Sequence, residues 1–401
     1  MKILVVCQHY WPEPYYLSDV CEELVHRGHE VHVVTDVPNY PMGYIYDDYK
    51  NGKNREQVHN GVRISRTFTI GRRKNDWFRL FNYYSYSISS TLFTKKLPDD
   101  YDVVFTNQTS PVMMTSAASA YSRKWGKKCV MYCMDLWPAS LAAGGMKTWN
   151  PIYKFFGKVS DWLYNRADKI LITSQMFREY LENNYKIPSD RIVYFPQYAA
   201  SQFEDLPKTE NKETFDFVFA GNVGKAQSLD TLLDAIKILN MPEYESKPLR
   251  WNIVGDGTCL ENLKKQADSL GLSNVIFHGR RPVEEMPKYY SMADAMLLLL
   301  TADPYISRTL PGKVQTYMAA GKPILAAANG EIPIILKAAE CGYVSEAENS
   351  SKFAETIKMF LEDKNKDQLG INAKNYYEKN FTRKQFMDKL ENILIEASNE
   401  K

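Results

Sequence analysis

The run Lys2-Ile-Leu-Val-Val-Cys7, answered a helix-length later by Val31-His-Val-Val-Thr35, decides the fold. The first run is continuously apolar after Lys2, as a strand covered on both faces of a parallel sheet must be, so it predicts a strand over 2–7. Between the two runs lies the loop Gln8-His-Tyr-Trp-Pro-Glu-Pro-Tyr-Tyr16, and Ser18 is expected to cap a helix. That helix turns Val20, Leu24 and Val25 inward and closes at Arg27-Gly28-His29. Such a βαβ unit opens a doubly wound sheet, whose ligands gather beyond the carboxyl ends of the strands. The loops after residues 7 and 35 are therefore candidate site loops. They place His9, Tyr15, Tyr16, Asn39 and Tyr40 at one edge.

The same logic extends along the chain. Strands are expected at 62–66, 102–106, 129–133, 169–173 and 192–195, with Ser174 capping a helix after the fourth of these. Asn107 follows the strand at 102–106, and Met134-Asp-Leu-Trp-Pro138 follows the next one. Asp135 thus stands at a strand's carboxyl end, where it suits a general base or a hydroxyl-binding group, or equally a cap or ion pair. Trp137 shares that loop. His9 reads either as a functional or as a structural histidine. The segment from Asp76 to Phe93 repeats Trp77, Phe81, Tyr84, Ile88 and Leu92 at helical spacing, flanked by Arg72, Arg73, Lys74, Arg79, Lys95 and Lys96. A second aromatic and basic helix is expected near 151–164. Aromatic and basic residues together fit either a core-facing helix with solvated charges or a membrane-surface helix.

The polar stretch 204–212 reads as a linker, after which the α/β alternation resumes. The expected division is 1–203 and 204–375, with 376–401 packing back on the first domain. In the second half, glycines follow two strands, in Gly221-Asn-Val-Gly-Lys225 and Gly255-Asp-Gly257. Glycines permit backbone approach to a pyrophosphate or simply serve turns of positive φ. Further on, Ser307-Arg-Thr-Leu-Pro-Gly-Lys313 leads into a short helix carrying Val314, Tyr317 and Met318. Gly321, Pro323 and a buried strand at 324–326 follow. Arg308, Lys313 and the free N–H groups of the helix start favour an anion there, although an ordinary loop–helix–strand connection reads the same way.

Bulk properties narrow the function. A chain of 401 residues exceeds the usual size of one core, so two domains are the default. Fifty basic against 48 acidic residues leave +2, which argues against nucleic acid as partner. The six cysteines are scattered; Cys129 and Cys133 share a strand face without a His or Cys to complete a metal set, so reduced core thiols are expected. The N-terminus lacks a signal-peptide pattern and no stretch is long enough to span a bilayer. A cytoplasmic protein that touches the membrane from that side is expected.

Taken in order, eight segments resemble the retaining glycosyltransferases of family 4, in the branch that builds bacterial capsule, O-antigen or exopolysaccharide. They are Arg27-Gly-His-Glu-Val31, Pro38-Asn-Tyr-Pro41, Asp135-Leu-Trp-Pro138, Arg166-Ala-Asp168, Gly221-Asn-Val-Gly-Lys-Ala-Gln227, Val254-Gly-Asp-Gly257, Ala293-Asp294 and Met318-Ala-Ala-Gly-Lys-Pro323. The resemblance implies an α/β GT-B architecture, two Rossmann-like doubly wound domains with an interdomain cleft. The first domain would bind the acceptor and the second a UDP-sugar, with no metal and no cofactor. Lys225 and Lys313 match the family's phosphate-contacting positions. Gly221, Asn222, Gly224, Gln227, Gly255, Leu310 and Pro311 would line the donor, with Arg280 beside the nucleobase. Two glutamates common in the family are replaced by Arg308 and Thr316. Arg308 is then expected near the leaving UDP and Thr316 near the ribose, while Asp135 and His9 line the acceptor side with Tyr15, Tyr16, Asn39, Tyr40, Asn107 and Trp137. The implied acceptor is a polyprenyl-diphosphate-linked saccharide at the inner face of the plasma membrane, reached through the helices near 72–96 and 147–164. A nucleotide-sugar 2-epimerase and a non-catalytic nucleotide-sugar-binding module are the rival readings.

Overall fold

In the computed structural model, residues 1–73, 76–207 and 212–400 are described. They form two compact units, one of residues 1–195 with 387–401, the other of residues 196–386. The first unit is built on an eight-stranded sheet. Its strands are β1 (Lys2–Val6), β2 (Glu30–Thr35), β3 (Glu56–His59), β4 (Val62–Arg66), β5 (Val103–Gln108), β6 (Cys129–Cys133), β7 (Lys169–Ile172) and β8 (Ile192–Tyr194), ordered β3-β4-β2-β1-β5-β6-β7-β8. All pairs are parallel except β3 with β4. In register, Val5 faces Val33 on one side and Phe105 on the other. Ile3 to Val6 and Val103 to Phe105 are wholly buried, which is why these strands read as unbroken apolar runs.

The second unit has β9 (Phe215–Ala220), β10 (Glu243–Tyr244), β11 (Lys247–Val254), β12 (Val275–Gly279), β13 (Ala295–Leu299), β14 (Ile324–Ala327) and β15 (Gly342–Ser345). The parallel order is β12-β11-β9-β13-β14-β15, with β10 added to β11 as an antiparallel hairpin. One layer of core lies on each face. Val218, Met296, Tyr317 and Ile332 belong to one cluster, and Phe217, Trp251, Leu232 and Phe360 to the other. Trp251 stacks on Phe217 with ring centroids 4.2 Å apart.

Several expectations need correction. Ser18 does not cap its helix: the helix is Leu17–His26, its cap is Tyr16, and Ser18 lies in the first turn. Ser174 likewise precedes the cap, Gln175, of the helix Met176–Tyr185. The expected linker at 204–212 is not the boundary, which falls after Phe195. Ala199 and Phe203 are buried in the second unit's core, with Leu206 packed against it, so this stretch is already part of that unit. Residues 208–211 lie outside the described residues. The chain end rejoins the first unit at Met387 rather than 376, since Ala373, Tyr377 and Phe381 still pack in the second. The strands β3, β10 and β15 were not foreseen.

The helix Asp76–Thr94 presents a reversal. Its apolar stripe, Trp77, Phe81, Ile88 and Leu92, faces solvent, while Asn82, Tyr86, Ser90 and Thr94 are buried. Of the basic residues flanking it, Lys74 lies outside the described residues. The helix Pro151–Tyr164 is started by Asn150, whose side chain accepts from Ile152 N–H at 2.9 Å, with proline at its first position. It too exposes Ile152, Phe155 and Trp162. Among the described residues no helix is long and apolar enough to cross a membrane. All six cysteines are free thiols, and burial pushes Cys129 up to about 12.

Arg27 ties the returning chain end to the first unit. Its guanidinium donates to Glu23 at 2.9 Å, to Asp388 at 2.9 Å and to Glu391 at 2.8 Å, and Glu391 also bonds His29 at 2.8 Å. These bonds hold the Glu391 carboxyl below its usual range. Arg27→Ala should cost about 1–3 kcal/mol, the range for a few partly exposed charge-assisted bonds. Amide exchange of residues 387–399 should rise correspondingly; unchanged exchange would mean apolar packing alone holds the segment.

Candidate active site

In the second unit, the loop after β9 and the helix Lys313–Ala319 meet at the carboxyl edge of the sheet. The Lys313 ammonium donates to Gln227 Oε1 at 2.7 Å and sits 4.4 Å from the centre of the Phe219 ring. A Cβ on Gly221 would come within 3.1 Å of Lys313 Nζ, so the glycine leaves the ammonium its place. No ion pair with a carboxylate reaches Lys313 among the described residues, and burial lowers its pKa to about 7. A cation so held has strong reason to recruit an anion. Lys225 stands exposed at the head of the same loop's single 3-10 turn, Lys225–Gln227. Beneath it, Gly221 N–H donates to Val254 carbonyl and Val223 N–H to Asp256 carbonyl, both at 2.9 Å. A Cβ on Gly255, whose φ is +147°, would overlap the Gly221 carbonyl. The two glycine loops are thus packed backbone on backbone.

In the first unit, the loops after β1, β2, β5 and β6 each contain a cis X–Pro bond, at Trp11-Pro12, Tyr40-Pro41, Ser110-Pro111 and Trp137-Pro138. A buried polar network ties the first two together. His9 Nδ1 meets Glu13 Oε2 at 2.8 Å, and Glu13 Oε1 accepts from the backbone N–H groups of Asn39 and Tyr40, both at 2.6 Å. The Asn39 amide donates to Asp36 at 2.9 Å and accepts from Asn82, which in turn accepts from Gln8 at 2.7 Å. Burial, reinforced by the nearby Glu13, pushes the Asp36 carboxyl well above the usual range. The His9 ring stacks on Tyr15 at 5.1 Å and meets Tyr40 at 5.4 Å. In the neighbouring loops Asp135 accepts from Ser110, which also meets Ser140 at 3.0 Å, and burial raises the Asp135 pKa. Tyr16 donates to Asn107 at 3.1 Å.

The sequence profile described as "Glycosyltransferase Family 4" matches residues 15–197, and that described as "Glycosyl transferases group 1" matches residues 201–376. The chain belongs to the family 4 glycosyltransferases. A "Putative colanic acid biosynthesis glycosyl transferase WcaI" of Escherichia coli K12 is 24% identical, with 80% of this chain and 82% of that protein covered. A "Probable glycosyltransferase WbjE" of Pseudomonas aeruginosa is 24% identical over 56% of this chain and 57% of its own length. Among solved structures, Anabaena HepE in complex with UDP superposes with a TM-score of 0.72 at 16% identity, covering 99% of this chain and 100% of that one. The fold is GT-B, the architecture in which glycosyltransferases such as HepE and WaaG are built.

In this glycosyltransferase the expected donor residues divide into three groups. Lys313, Gln227 and Gly221 come together as described, with Lys225, Asn222 and Gly224 on the same loop. Pro311 is half-buried at the helix start, and Arg280 is exposed after β12. The remainder are engaged in the fold. Leu310 is a core residue beside Val314 and Tyr317, so its side chain is withdrawn from any ligand. Thr316 donates its hydroxyl to Gly312 carbonyl at 3.0 Å, as a helical threonine does. Arg308 donates to Pro304 carbonyl at 2.6 Å and lies over Tyr305, on its own turn. Gly255 serves the packing of the loop beneath the Gly221 segment.

Of the residues expected on the acceptor side, His9, Tyr15 and Tyr40 form one cluster, and Tyr16, Asn107 and Asp135 line the adjacent loops with Ser110. Asn39 is fully buried and Trp137 nearly so, the latter packed edge-on against Phe156 at 5.5 Å; neither is placed to touch an acceptor. Sequence reasoning missed Glu13, Asp36, Asn82 and Ser110. Glu13 stands four residues after His9, the one signal that spacing offered. It also missed that His9, Glu13 and Asp36 bring potential ligand atoms within 4.8 Å of one another. Those atoms could hold a cation, but Glu13 and Asp36 already accept the bonds that fasten the loops.

Removing Glu13 leaves two buried backbone N–H groups unsatisfied, at about 1–3 kcal/mol each. Glu13→Ala should therefore lower the denaturation midpoint followed by tryptophan fluorescence, since all tryptophans except Trp251 lie in the first unit. Gly255→Ala should destabilise the second unit by about 1–3 kcal/mol through forced separation of the loops. Its readout is earlier exposure of Trp251, and an unshifted transition would contradict the packing described.

Proposed function

We propose that the protein transfers a sugar from a UDP-sugar to a hydroxyl of a polyprenyl-diphosphate-linked saccharide, with retention at the anomeric carbon and without a metal. The observation that carries this reading is the Lys313 ammonium, held against Gln227 and the Gly221 loop with no carboxylate among the described residues to neutralise it. A diphosphate supplies the missing charge. In the reaction the bond from the anomeric carbon to the β-phosphate oxygen breaks, and the acceptor oxygen bonds to the same face. The acceptor proton passes to the departing phosphate oxygen. Charge then accumulates on UDP, and Lys313 with Lys225 stabilises it in place of a divalent ion. HepE is a GT-B protein seen with UDP, which supports the choice of nucleotide.

The acceptor belongs with the first unit. Asp135, flanked by Ser110 and Ser140, receives a hydroxyl, while His9 is oriented through Nδ1 by Glu13 and offers Nε2. A lipid-linked acceptor requires the protein to work at the inner face of the membrane, which the exposed apolar faces of the helices Asp76–Thr94 and Pro151–Tyr164 support.

The decisive assay supplies labelled UDP-sugars and lipid-linked saccharide in the presence of a chelator. UDP release that depends on acceptor is expected; donor isomerisation without acceptor, or a requirement for divalent ion, would overturn the reading. Lys313 also sets a pH dependence. Below its pKa of about 7 the ammonium is already charged, whereas above it a proton must be taken up to meet the diphosphate. UDP affinity should therefore fall as pH rises from 7 to 9. In Lys313→Ala it should be about 10–100-fold weaker at pH 6.5 and nearly independent of pH, from the worth of one charged hydrogen bond. Near-normal kcat in that variant would remove Lys313 from the chemistry.

A further inference from the structure

The first unit carries a basic hollow on its surface, lined by none of the residues named for its candidate site. The helices Asp76–Thr94, Ser116–Trp125 and Pro151–Tyr164 enclose a cavity of about 560 Å³ lined by Thr91, Lys95, Arg123, Lys124, Trp162 and Arg166. Four cations converge there, and among the described residues none of them pairs with a carboxylate. Two of them, Arg166 and Lys124, contact rings and a carbonyl instead. Arg166 lies 3.7 Å from the centre of the Trp162 ring, and Lys124 lies 4.2 Å from that of Trp125 and donates to Lys95 carbonyl at 2.6 Å. Burial, followed by the nearby charge of Arg123, lowers the Arg166 pKa. Like charges gathered in this way repel one another until an anion joins them.

What adjoins the hollow decides the class of anion. On the first of these helices Ile88 and Leu92, 58% and 56% exposed, lie one turn apart, and Lys95 follows at the next turn. On the third, Phe155 and Trp162, 56% and 48% exposed, lead in the same manner to Arg166. Two apolar ridges therefore run into one basic hollow. Free phosphate would use the cations and leave both ridges in water. An amphiphile with an anionic head uses both, because its phosphate meets the cations while the ridges enter the acyl boundary.

We propose that this hollow binds the phosphate headgroup of an anionic membrane phospholipid, and that the ridges Ile88–Leu92 and Phe155–Trp162 insert beside it. This rests on the reading of the protein as a transferase whose acceptor is held in a membrane. It adds that the membrane is recognised through a defined headgroup site.

The test is co-sedimentation of the full chain with vesicles of phosphatidylglycerol and phosphatidylcholine, and with vesicles of phosphatidylcholine alone. The wild type should bind the first and not the second. Arg123→Glu combined with Arg166→Glu should weaken binding to the anionic vesicles at least about tenfold, since each cation near the surface contributes separately. Ile88→Ser combined with Phe155→Ser should weaken it too, whereas Lys358→Glu, on the exposed face of the helix Ser350–Glu362, should not. Anionic-vesicle binding unchanged in the double arginine variant, equal binding to both vesicles, or none to either overturns the proposal. So does calorimetric binding of inorganic phosphate that the arginine variant loses while vesicles bind neither protein; this would assign the hollow to free phosphate. Acceptor-dependent UDP release in detergent micelles is measured on the same preparations. Its absence in the wild type would overturn the transferase reading and leave the vesicle result standing, and its retention in the arginine variant would show that the variant is folded.

Discussion

Two backbone loops packed against each other set the geometry of the second unit's site. The Gly221 carbonyl fills the space that a side chain at position 255 would need, so the loop after β9 rests directly on the loop after β11. That seating fixes Gln227 and leaves room above Gly221 for the Lys313 ammonium. The ammonium then has a neutral acceptor and an aromatic face for company, but no counter-ion among the described residues. Its lowered pKa follows from that seclusion. The place of this cation is a consequence of glycine packing one layer below it.

The first unit reaches a comparable result by different means. Its loops are fastened by a buried carboxylate, Glu13, whose two oxygens serve a histidine and two backbone N–H groups. Asp36, Asn39, Asn82 and Gln8 extend the same chain of bonds. Burying these residues is tolerated because each makes at least one hydrogen bond, and the outcome is a rigid edge on which Tyr15, Tyr40 and His9 stand. Asp135 occupies the next loop, kept half-buried between two serine hydroxyls. On this unit's outer surface the usual arrangement is inverted. The helix Asp76–Thr94 buries asparagine, serine and threonine and shows water its tryptophan, phenylalanine and leucine. Such a face is consistent with a second apolar phase at that surface.

Much of the fold was legible because parallel strands covered on both sides leave little freedom in composition. Ile3 to Val6, Val103 to Phe105 and Ala295 to Leu299 are apolar throughout and are fully buried. The short strands β3, β10 and β15 escaped notice because their edge positions leave side chains partly exposed, as at Glu56, Glu243 and Val344. That Lys313 meets the Gly221–Gln227 loop was only partly legible, since a glycine loop after a strand serves a turn of positive φ as readily as an anion. Leu310, Asn39 and Trp137 are buried, which their place in loops did not announce. Sequence locates a residue in a loop but does not say whether its side chain turns toward ligand or core.

The sequence by itself determined the two α/β units, since burial period and glycine placement are local properties of the chain, and its eight ordered motifs carried the resemblance to the glycosyltransferase family. Only the tertiary structure decided which loop residues meet. Glu13 joins His9 to Asn39, Ser110 joins Asp135, and four cations on or just beyond three helices surround one hollow. It also decided which face of the Asp76–Thr94 helix is wet, because helical spacing defines a stripe but not the side on which a neighbour packs. Contacts between distant segments depend on how the sheets order their strands, and no local pattern encodes that order.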